Sequence, residues 1–365
     1  MKQQTITESG TTIKKSKNVF YNSLMELNRS ISIALLKAVN KKNMIVCLPM
    51  AATGIRAIRM LKELPKSAIK EIHINDIDKI AVKNIKENLK LNKLTARDKR
   101  IKLTNKDGRL LMLEQGGYDY IDIDPFGSPN TMLDIAILKL ARGGIFAVTA
   151  TDTGALAGTH VRAGLRKYWA KGMKNELMHE LGLRMLIRRV QLTGADHEKA
   201  LFPIYAFATQ HYYRVFFICK KGRKLADEVV KEHAYLLYCK KCLSRQFNKI
   251  NHAVCCKNIP MQWAGPLWTG QLWDRQLAEK IYKSLQNDLT YKIKLESEIK
   301  DSLLFYDLHK ISKYYRFPPP KTEDALGRLK QKKVKAALTH FSDKGIRTNI
   351  KIKQFVNIIK KPSKK

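Results

Sequence analysis

Between Met44 and about Lys220, apolar runs of strand length alternate with amphipathic runs of helix length, and this alternation restricts the fold more than any other feature of the chain. The pattern predicts strands over 44–50, 71–77, 100–107, 118–124 and 144–151. Helical periodicity fills the gaps at 54–64, 78–91 and 130–141, with a shorter connection near Leu110. Strands separated by helices pair in parallel, because each helix carries the chain back along the sheet, and both faces end up covered. A longer helix is expected over 175–191, then strands over 201–209 and 211–220 joined by a short turn into an antiparallel hairpin. The class is α/β, a doubly wound sheet with a late hairpin. Composition shifts after Gly222, which predicts one domain over 1–222 and a second over 223–365. In the second, helical pattern runs over 273–306, Pro318-Pro319-Pro320 breaks it, and a further helix is expected over 322–338.

The chain carries 69 Lys and Arg against 32 Asp and Glu in 365 residues, a net charge of +37. Hydrophobic residues still supply 44% of it, enough for packed cores, which excludes a disordered basic tail. Such an excess repels itself unless a polyanion neutralises it; nucleic acid fits best, with an anionic membrane surface as the alternative. From Lys310 to Lys365, 17 residues are basic and 3 acidic, so the surplus is dense at the C-terminal end. No run approaches the roughly 18 apolar residues of a membrane span. The segment from Met1 to Asn18 is polar and has no signal-peptide core. A soluble, cytoplasmic protein is the expectation, with a monomer as the default.

Three strand ends carry candidate chemistry. After the first strand stands Ala52-Thr53-Gly54-Ile55-Arg56, a glycine turn that lets a ligand approach the backbone where open α/β sheets bind their ligands. After the second stands Asp76, placed either to accept ribose hydroxyls or to cap the following helix. Asp107-Gly108 repeats that arrangement one strand later. Together they outline an adenosine-sized pocket. The most specific segment is Asp122-Ile123-Asp124-Pro125-Phe126-Gly127-Ser128-Pro129. Alternation puts Asp122 and Asp124 on one side of a strand, where neighbouring carboxylates are costly unless each finds partners. Proline keeps Asp124 extended and ends the strand. A carboxylate, a proline carbonyl and the Phe126 ring suit a planar base bearing an exocyclic amine: the oxygens accept its N–H groups and the ring stacks on it.

The segment 122–129, followed by Val148-Thr149-Ala150-Thr151-Asp152, resembles the tRNA guanine-26 N2-dimethyltransferases, archaeal members above all. Phe20-Tyr21-Asn22, Leu27-Asn28-Arg29, the 52–56 turn, Asn75-Asp76 and Leu165-Arg166-Lys167-Tyr168 match in order. Gly265-Pro266-Leu267-Trp268, Leu304-Phe305-Tyr306-Asp307 and Thr339-His340-Phe341-Ser342 extend the likeness over almost the whole chain. The resemblance implies a class I Rossmann-like methyltransferase domain with a smaller α+β C-terminal domain that grips tRNA. It implies S-adenosylmethionine as cofactor, with Arg29 and Arg56 contacting its methionine end or helping to shape the site, Asp76 on the ribose and Asp107 with Gly108 at the adenine. Asp124 would orient the N2 amine of guanine-26 for in-line attack on the methyl group, with Phe126 beside it. One departure stands out: family members usually carry an aspartate where this chain has Leu48-Pro49. A same-fold enzyme acting on another base, or a non-catalytic RNA-binding protein on the same scaffold, is the competing reading.

Four of the six cysteines fall between 239 and 256, while Cys47 and Cys219 sit singly in apolar runs as small buried hydrophobes. Cys239 and Cys242 form a C-x-x-C pair of the kind that holds a structural zinc. The second half is irregular: either His252 with Cys255, or Cys255 with Cys256, would complete the ligand set, and degeneration to free thiols is the competing reading. Arg184, Arg188 and Arg189 lie on or beside one helix face, placed either to meet phosphate or to face solvent. His160 and His179 are read as hydrogen-bonded or surface residues. Tyr314, Tyr315, Arg316 and Phe317 mix aromatics with charge, for RNA contact or for packing on the proline run.

Overall fold

The computed structural model describes residues 4–94, 98–209, 211–300, 302 and 304–360. The chain opens with a hairpin, β1 (Gln4–Glu8) and β2 (Thr11–Lys15), and helix α1 (Glu26–Val39). The alternation follows: β3 (Met44–Leu48), α2 (Ile55–Glu63), β4 (Ile69–Asn75), α3 (Lys79–Leu91), β5 (Ile101–Thr104), α4 (Gly108–Glu114), β6 (Tyr118–Ile123), α5 (Asn130–Lys139) and β7 (Leu140–Ala150). Helices α6 (Thr153–Leu156), α7 (Val161–Tyr168) and α8 (Met178–Asp196) lead to β8 (Lys199–Ala208) and β9 (Tyr213–Lys221). These strands form one seven-stranded sheet in the order β5-β4-β3-β6-β7-β9-β8, parallel as far as β7 and antiparallel at its last two strands. The alternation and the late hairpin therefore stand as the sequence predicts. Ile145 to Ala150 are buried in unbroken succession, so both faces of β7 are covered, as a parallel sheet requires. From β3 the chain steps outward to β4 and β5, then crosses back to β6 on the other side. That reversal opens a crevice beyond the carboxyl ends of β3 and β6.

The strands end two or three residues earlier than expected at Leu48, Asn75 and Thr104: Met50, Asp76 and Ile77 turn into the crevice, and Asp107 caps the next helix. The β1–β2 hairpin is fastened by side chains from α3. Asn88 Oδ1 accepts from Lys14 N at 2.8 Å, and Asn84 Nδ2 donates to Lys14 O at 2.8 Å.

After Gly222, α9 (Arg223–Lys231) leads into β10 (His233–Tyr238), β11 (Arg245–Asn248), the two-residue strands β12 (Val254–Cys255) and β13 (Ile259–Pro260), and β14 (Gln262–Trp268). Beyond them come α10 (Arg275–Leu285), α11 (Asp288–Ser297), β15 (Phe305–Asp307), α12 (Leu308–Tyr315), α13 (Thr322–Gln331), β16 (Ala336–Leu338), β17 (Gly345–Thr348) and α14 (Ile352–Ile359). The helix expected over 273–306 is two helices and a strand. The helix expected over 322–338 stops at Gln331, where Lys333 turns left-handed (φ 56) and Val334 N donates back to Leu329 O at 2.9 Å. Residues 336–338 instead pair with β17 just downstream in an antiparallel hairpin, whose strands are too short for a periodicity to reveal.

This C-terminal part docks on the sheet by specific bonds. Trp273 Nε1 donates to Ala206 O at 2.6 Å, and Asp274 N donates to Ile204 O at 2.8 Å. Beneath it lies a buried ionic cluster. Glu180 of α8 accepts from Arg347 at 2.6 Å and from Arg184 at 2.9 Å, and Arg347 also donates to Glu296 at 2.8 Å. Arg184 therefore does not face phosphate: it is buried, and its remaining donors go to the carbonyls of Trp268 and Gly270. Burial pushes the Glu296 carboxyl up, but His340 and Arg347 outweigh it and hold it down to about 2. Arg347→Ala leaves two buried carboxylates short of a partner and is expected to cost about 3–5 kcal/mol in urea unfolding; a loss within about 0.5 kcal/mol would show the cluster to be hydrated.

Candidate active site

A cavity of about 450 Å³ occupies the crevice, lined by the ends of β3, β4 and β6 and by the segment before α1. The turn after β3 forms its first wall. Ala52 and Gly54 both adopt positive φ (49 and 77°). At Gly54 the positive φ favours glycine, and an added Cβ would also crowd the Ile85 side chain at 3.1 Å. Asp76 closes this turn: Oδ2 accepts from Ala52 N at 2.8 Å, and Oδ1 accepts from Asp78 N at 3.1 Å. Its carboxylate lines the cavity, so it stays within reach of a ligand while it shapes the backbone.

The floor is a charge array. Asp122 is buried at the end of β6 and accepts from both terminal nitrogens of Arg214 at 2.7 and 2.8 Å and from the Tyr120 hydroxyl at 2.7 Å. Burial would raise its carboxyl, but Arg214 and Arg56 prevail and hold it down to about 2. Arg56, from the first turn of α2, lies 3.2 Å from Asp122 and donates to Asp124 Oδ2 at 2.5 Å. Its other donors go to Asn28 Oδ1 at 3.2 Å and Ser32 Oγ at 3.0 Å. One guanidinium thus relieves the repulsion between the paired carboxylates. Asp124 is less buried than Asp122, and its Oδ1 has no protein partner among the described residues.

Phe126 stands at the mouth, 74% exposed, and packs edge-on against exposed Phe20 with ring centroids 4.5 Å apart. Gly127 ties this loop to the one after β7: its N–H donates to Thr151 Oγ1 at 2.6 Å, and its carbonyl accepts from Thr151 N at 2.9 Å. On the opposite wall Arg29 is buried. Its Nε donates to Glu8 Oε2 at 2.9 Å, and Nη2 bonds both Glu8 Oε1 and the Asn22 carbonyl. Its Nη1 has no protein partner among the described residues.

The structure thus brings Arg29, Arg56, Asp76, Asp124 and Phe126 to one cavity. Asp107 and Gly108 lie outside its lining. Asp107 caps α4 through Arg109 N at 2.7 Å and pairs with the exposed Arg109 guanidinium, which holds its carboxyl down to about 2. Gly108 packs close to Pro49. Leu48, in the place of the expected acid, is buried and contributes an apolar patch of wall. Sequence reasoning did not assign Arg214, Glu8, Asn28 or Ser32. The signal for Arg214 is its strand register: it lies opposite Thr149 on β7, the strand that separates it from β6, across 92 residues of chain from Asp122.

In the C-terminal part the thiols of Cys239, Cys242, Cys255 and Cys256 converge, with all four sulfurs within 4.8 Å of one another. A tetrahedral zinc with Zn–S of about 2.3 Å needs sulfurs about 3.8 Å apart, so this set fits the ion. The hairpin of β12 and β13 delivers Cys255 and Cys256 together, and His252 is not part of the cluster.

A seven-stranded sheet of this order, with a glycine turn, a strand-end carboxylate and an acidic pair around one crevice, is the frame of a Rossmann-like methyltransferase. The N2,N2-dimethylguanosine tRNA methyltransferase model matches residues 2–360, and the chain belongs to that family. A tRNA (guanine(26)-N(2))-dimethyltransferase of Methanobrevibacter smithii is 38% identical, aligned over 94% of this chain and 91% of its own length. A tRNA (guanine(26)-N(2)/guanine(27)-N(2))-dimethyltransferase of Aquifex aeolicus is 31% identical over 98% and 92%. Trm1 from Pyrococcus horikoshii, solved in complex with S-adenosyl-L-methionine, superposes with a TM-score of 0.87 at 32% identity, covering 98% of this chain and all of that one.

Because Arg214 and Arg56 depress the Asp122 carboxyl, its contribution to stability is complete above its unfolded value of 3.8 and fades as pH falls toward about 2. The stability gap between the wild type and Asp122→Asn, read from urea unfolding, is expected to be widest near pH 6 and to narrow below pH 4. A gap independent of pH would contradict the ionised array.

Proposed function

We propose that this chain is a tRNA methyltransferase that transfers one or two methyl groups from S-adenosylmethionine to the exocyclic N2 of guanine-26. The observation that carries this reading is Asp124: a carboxylate pinned by Arg56 through one oxygen, with the other unpaired at the cavity mouth beside an exposed aromatic ring. The residues around the cavity suit the cofactor. Asp76 accepts the ribose hydroxyls, Arg29 Nη1 and Arg56 serve the methionine end, and the enclosed volume is that of an ordinary ligand site. Asp107 with Gly108 flanks the adenine side from outside the present lining. Bound there, S-adenosylmethionine supplies an electrophilic methyl whose C–S bond breaks as the N–C bond forms.

The protein's own part is positioning. Phe126 and Phe20 offer rings for a guanine taken out of its stack, and the Pro125 carbonyl and Asp124 Oδ1 accept its N–H groups. Asp124 turns the N2 lone pair toward the methyl group and receives the amine proton once the new bond makes it acidic. Arg56 keeps the carboxylate in that orientation while Arg214 and Tyr120 hold Asp122 beneath it. Residues 1–222 hold this chemistry and residues 223–365 grip the tRNA body, with a structural zinc at Cys239, Cys242, Cys255 and Cys256 tying the turn after β10 to the β12–β13 hairpin. No described helix is long and apolar enough to cross a membrane. The same reading has the protein acting in the cytoplasm as a monomer.

Labelled S-adenosylmethionine is expected to pass its methyl to unmodified tRNA, and Asp124→Ala to lower that rate by about 10²–10⁴-fold with tRNA affinity nearly unchanged. Equal loss of rate and affinity would remove the assigned role. Protein purified without added metal should contain about one zinc per chain, and chelation should lower the melting temperature; a ratio near zero would exclude the zinc.

A further inference from the structure

Helix α7 presents an unusual surface. Arg162 and Arg166 are exposed one turn apart, and so are Leu165 (46%) and Trp169 (53%). Trp169 is a left-handed cap (φ 52) at the end of the helix, a conformation that costs a side chain something and holds the ring outward from the last turn. The Arg189 guanidinium of α8 lies 3.9 Å from the centre of that ring, and Arg188 Nη1 donates to the Trp169 carbonyl at 3.2 Å. Neither arginine forms an ion pair among the described residues, and the Nε of each is buried without a partner. Two half-buried guanidinium groups without an ion pair thus lie beneath an exposed indole, with Arg189 Nη1 also donating to Thr193 Oγ1 at 3.2 Å. They make a platform whose natural complement is anionic and aromatic together.

The platform is joined to the cavity. Asn130, next to the Ser128-Pro129 end of the Asp124 loop, donates through Nδ2 to Lys167 O at 2.6 Å. Lys167 Nζ and the Tyr168 hydroxyl both donate to Asp152, at 3.2 and 2.5 Å, one residue beyond the Thr151 that bonds Gly127. The end of α7 is thus fixed to the two loops that form the cavity rim.

We propose that Trp169, backed by Arg189 and flanked by Arg166, is a stacking and phosphate-binding platform for a tRNA nucleotide near the target guanine, holding the RNA while that base enters the cavity. Stacking on an indole tolerates any base, and a guanidinium behind the ring strengthens its hold on a neighbouring phosphate. This rests on the reading of the chain as a tRNA methyltransferase and adds the surface that presents the substrate. Trp169, Arg166 and Arg189 act here as positioning residues, since none of them touches the reacting atoms.

The test is steady-state methylation of unmodified tRNA by full-length protein, with cofactor affinity measured separately by calorimetry. Trp169→Ala is expected to raise the KM for tRNA about tenfold, leave kcat at saturating tRNA within about twofold, and leave cofactor affinity unchanged, while Trp169→Tyr retains most of the affinity. Arg166→Gln, at an exposed position that cannot disturb the core, is expected to reduce the slope of log affinity against log salt by about one. An unchanged KM in Trp169→Ala, or a parallel loss of cofactor affinity, overturns the platform while the wild-type activity still supports the methyltransferase reading. A wild-type protein that neither binds nor methylates tRNA overturns that reading and the platform with it.

Discussion

Everything at the centre of this protein depends on one guanidinium. The acidic pair at the end of β6 places two carboxylates on the same side of a strand, and a sheet interior does not tolerate that alone. Arg56 reaches both, Arg214 satisfies the deeper one, and the shallower one keeps an oxygen for a ligand. The division of labour follows from depth. Asp122 is spent entirely on structure, whereas Asp124 is held in place without being used up. Arg56 can do this because α2 begins where the Gly54 turn ends, so the glycine that opens the crevice also aims the arginine into it.

Much of this was legible in the sequence, and the reasons are local. The period of two in Asp-Ile-Asp, the proline after it and the glycine turn after β3 each follow from short-range rules of backbone geometry. They place Asp124, Phe126, Arg56 and Asp76 without knowledge of the rest of the chain. The residues that were missed share the opposite property. Arg214 and Glu8 act across long stretches of chain, and only strand register and the docking of the first hairpin bring them to the site. The same limit explains β15, whose partner β17 is distant in sequence, while β16 and β17 are neighbours whose three or four residues are too few to show a period. Asp107 differs for a local reason: its strand-end position resembles that of Asp76, but its carboxylate is taken by its neighbour Arg109.

Basic residues prove to be of two kinds. Arg184 and Arg347 are buried structural charges paired with Glu180 and Glu296, although composition counts them with the rest. Arg162, Arg166, Lys332, Lys333, Lys335, Lys351 and Lys353 remain on the surface. The buried Arg29, Arg59, Arg184, Arg214 and Arg347 already have carboxylate partners, so the surplus open to a polyanion is carried by the more exposed basic residues.

The central claim is that this cavity delivers a methyl group to the N2 of one guanine. It is tested most directly by digesting tRNA after reaction with the purified protein and identifying the product nucleosides by mass spectrometry, with the modified position mapped by fragment. N2-methylguanosine and N2,N2-dimethylguanosine are expected at position 26, and both are expected to be lost in Asp124→Ala. A methyl group on any other base or atom, or its persistence in that variant, would contradict the claim.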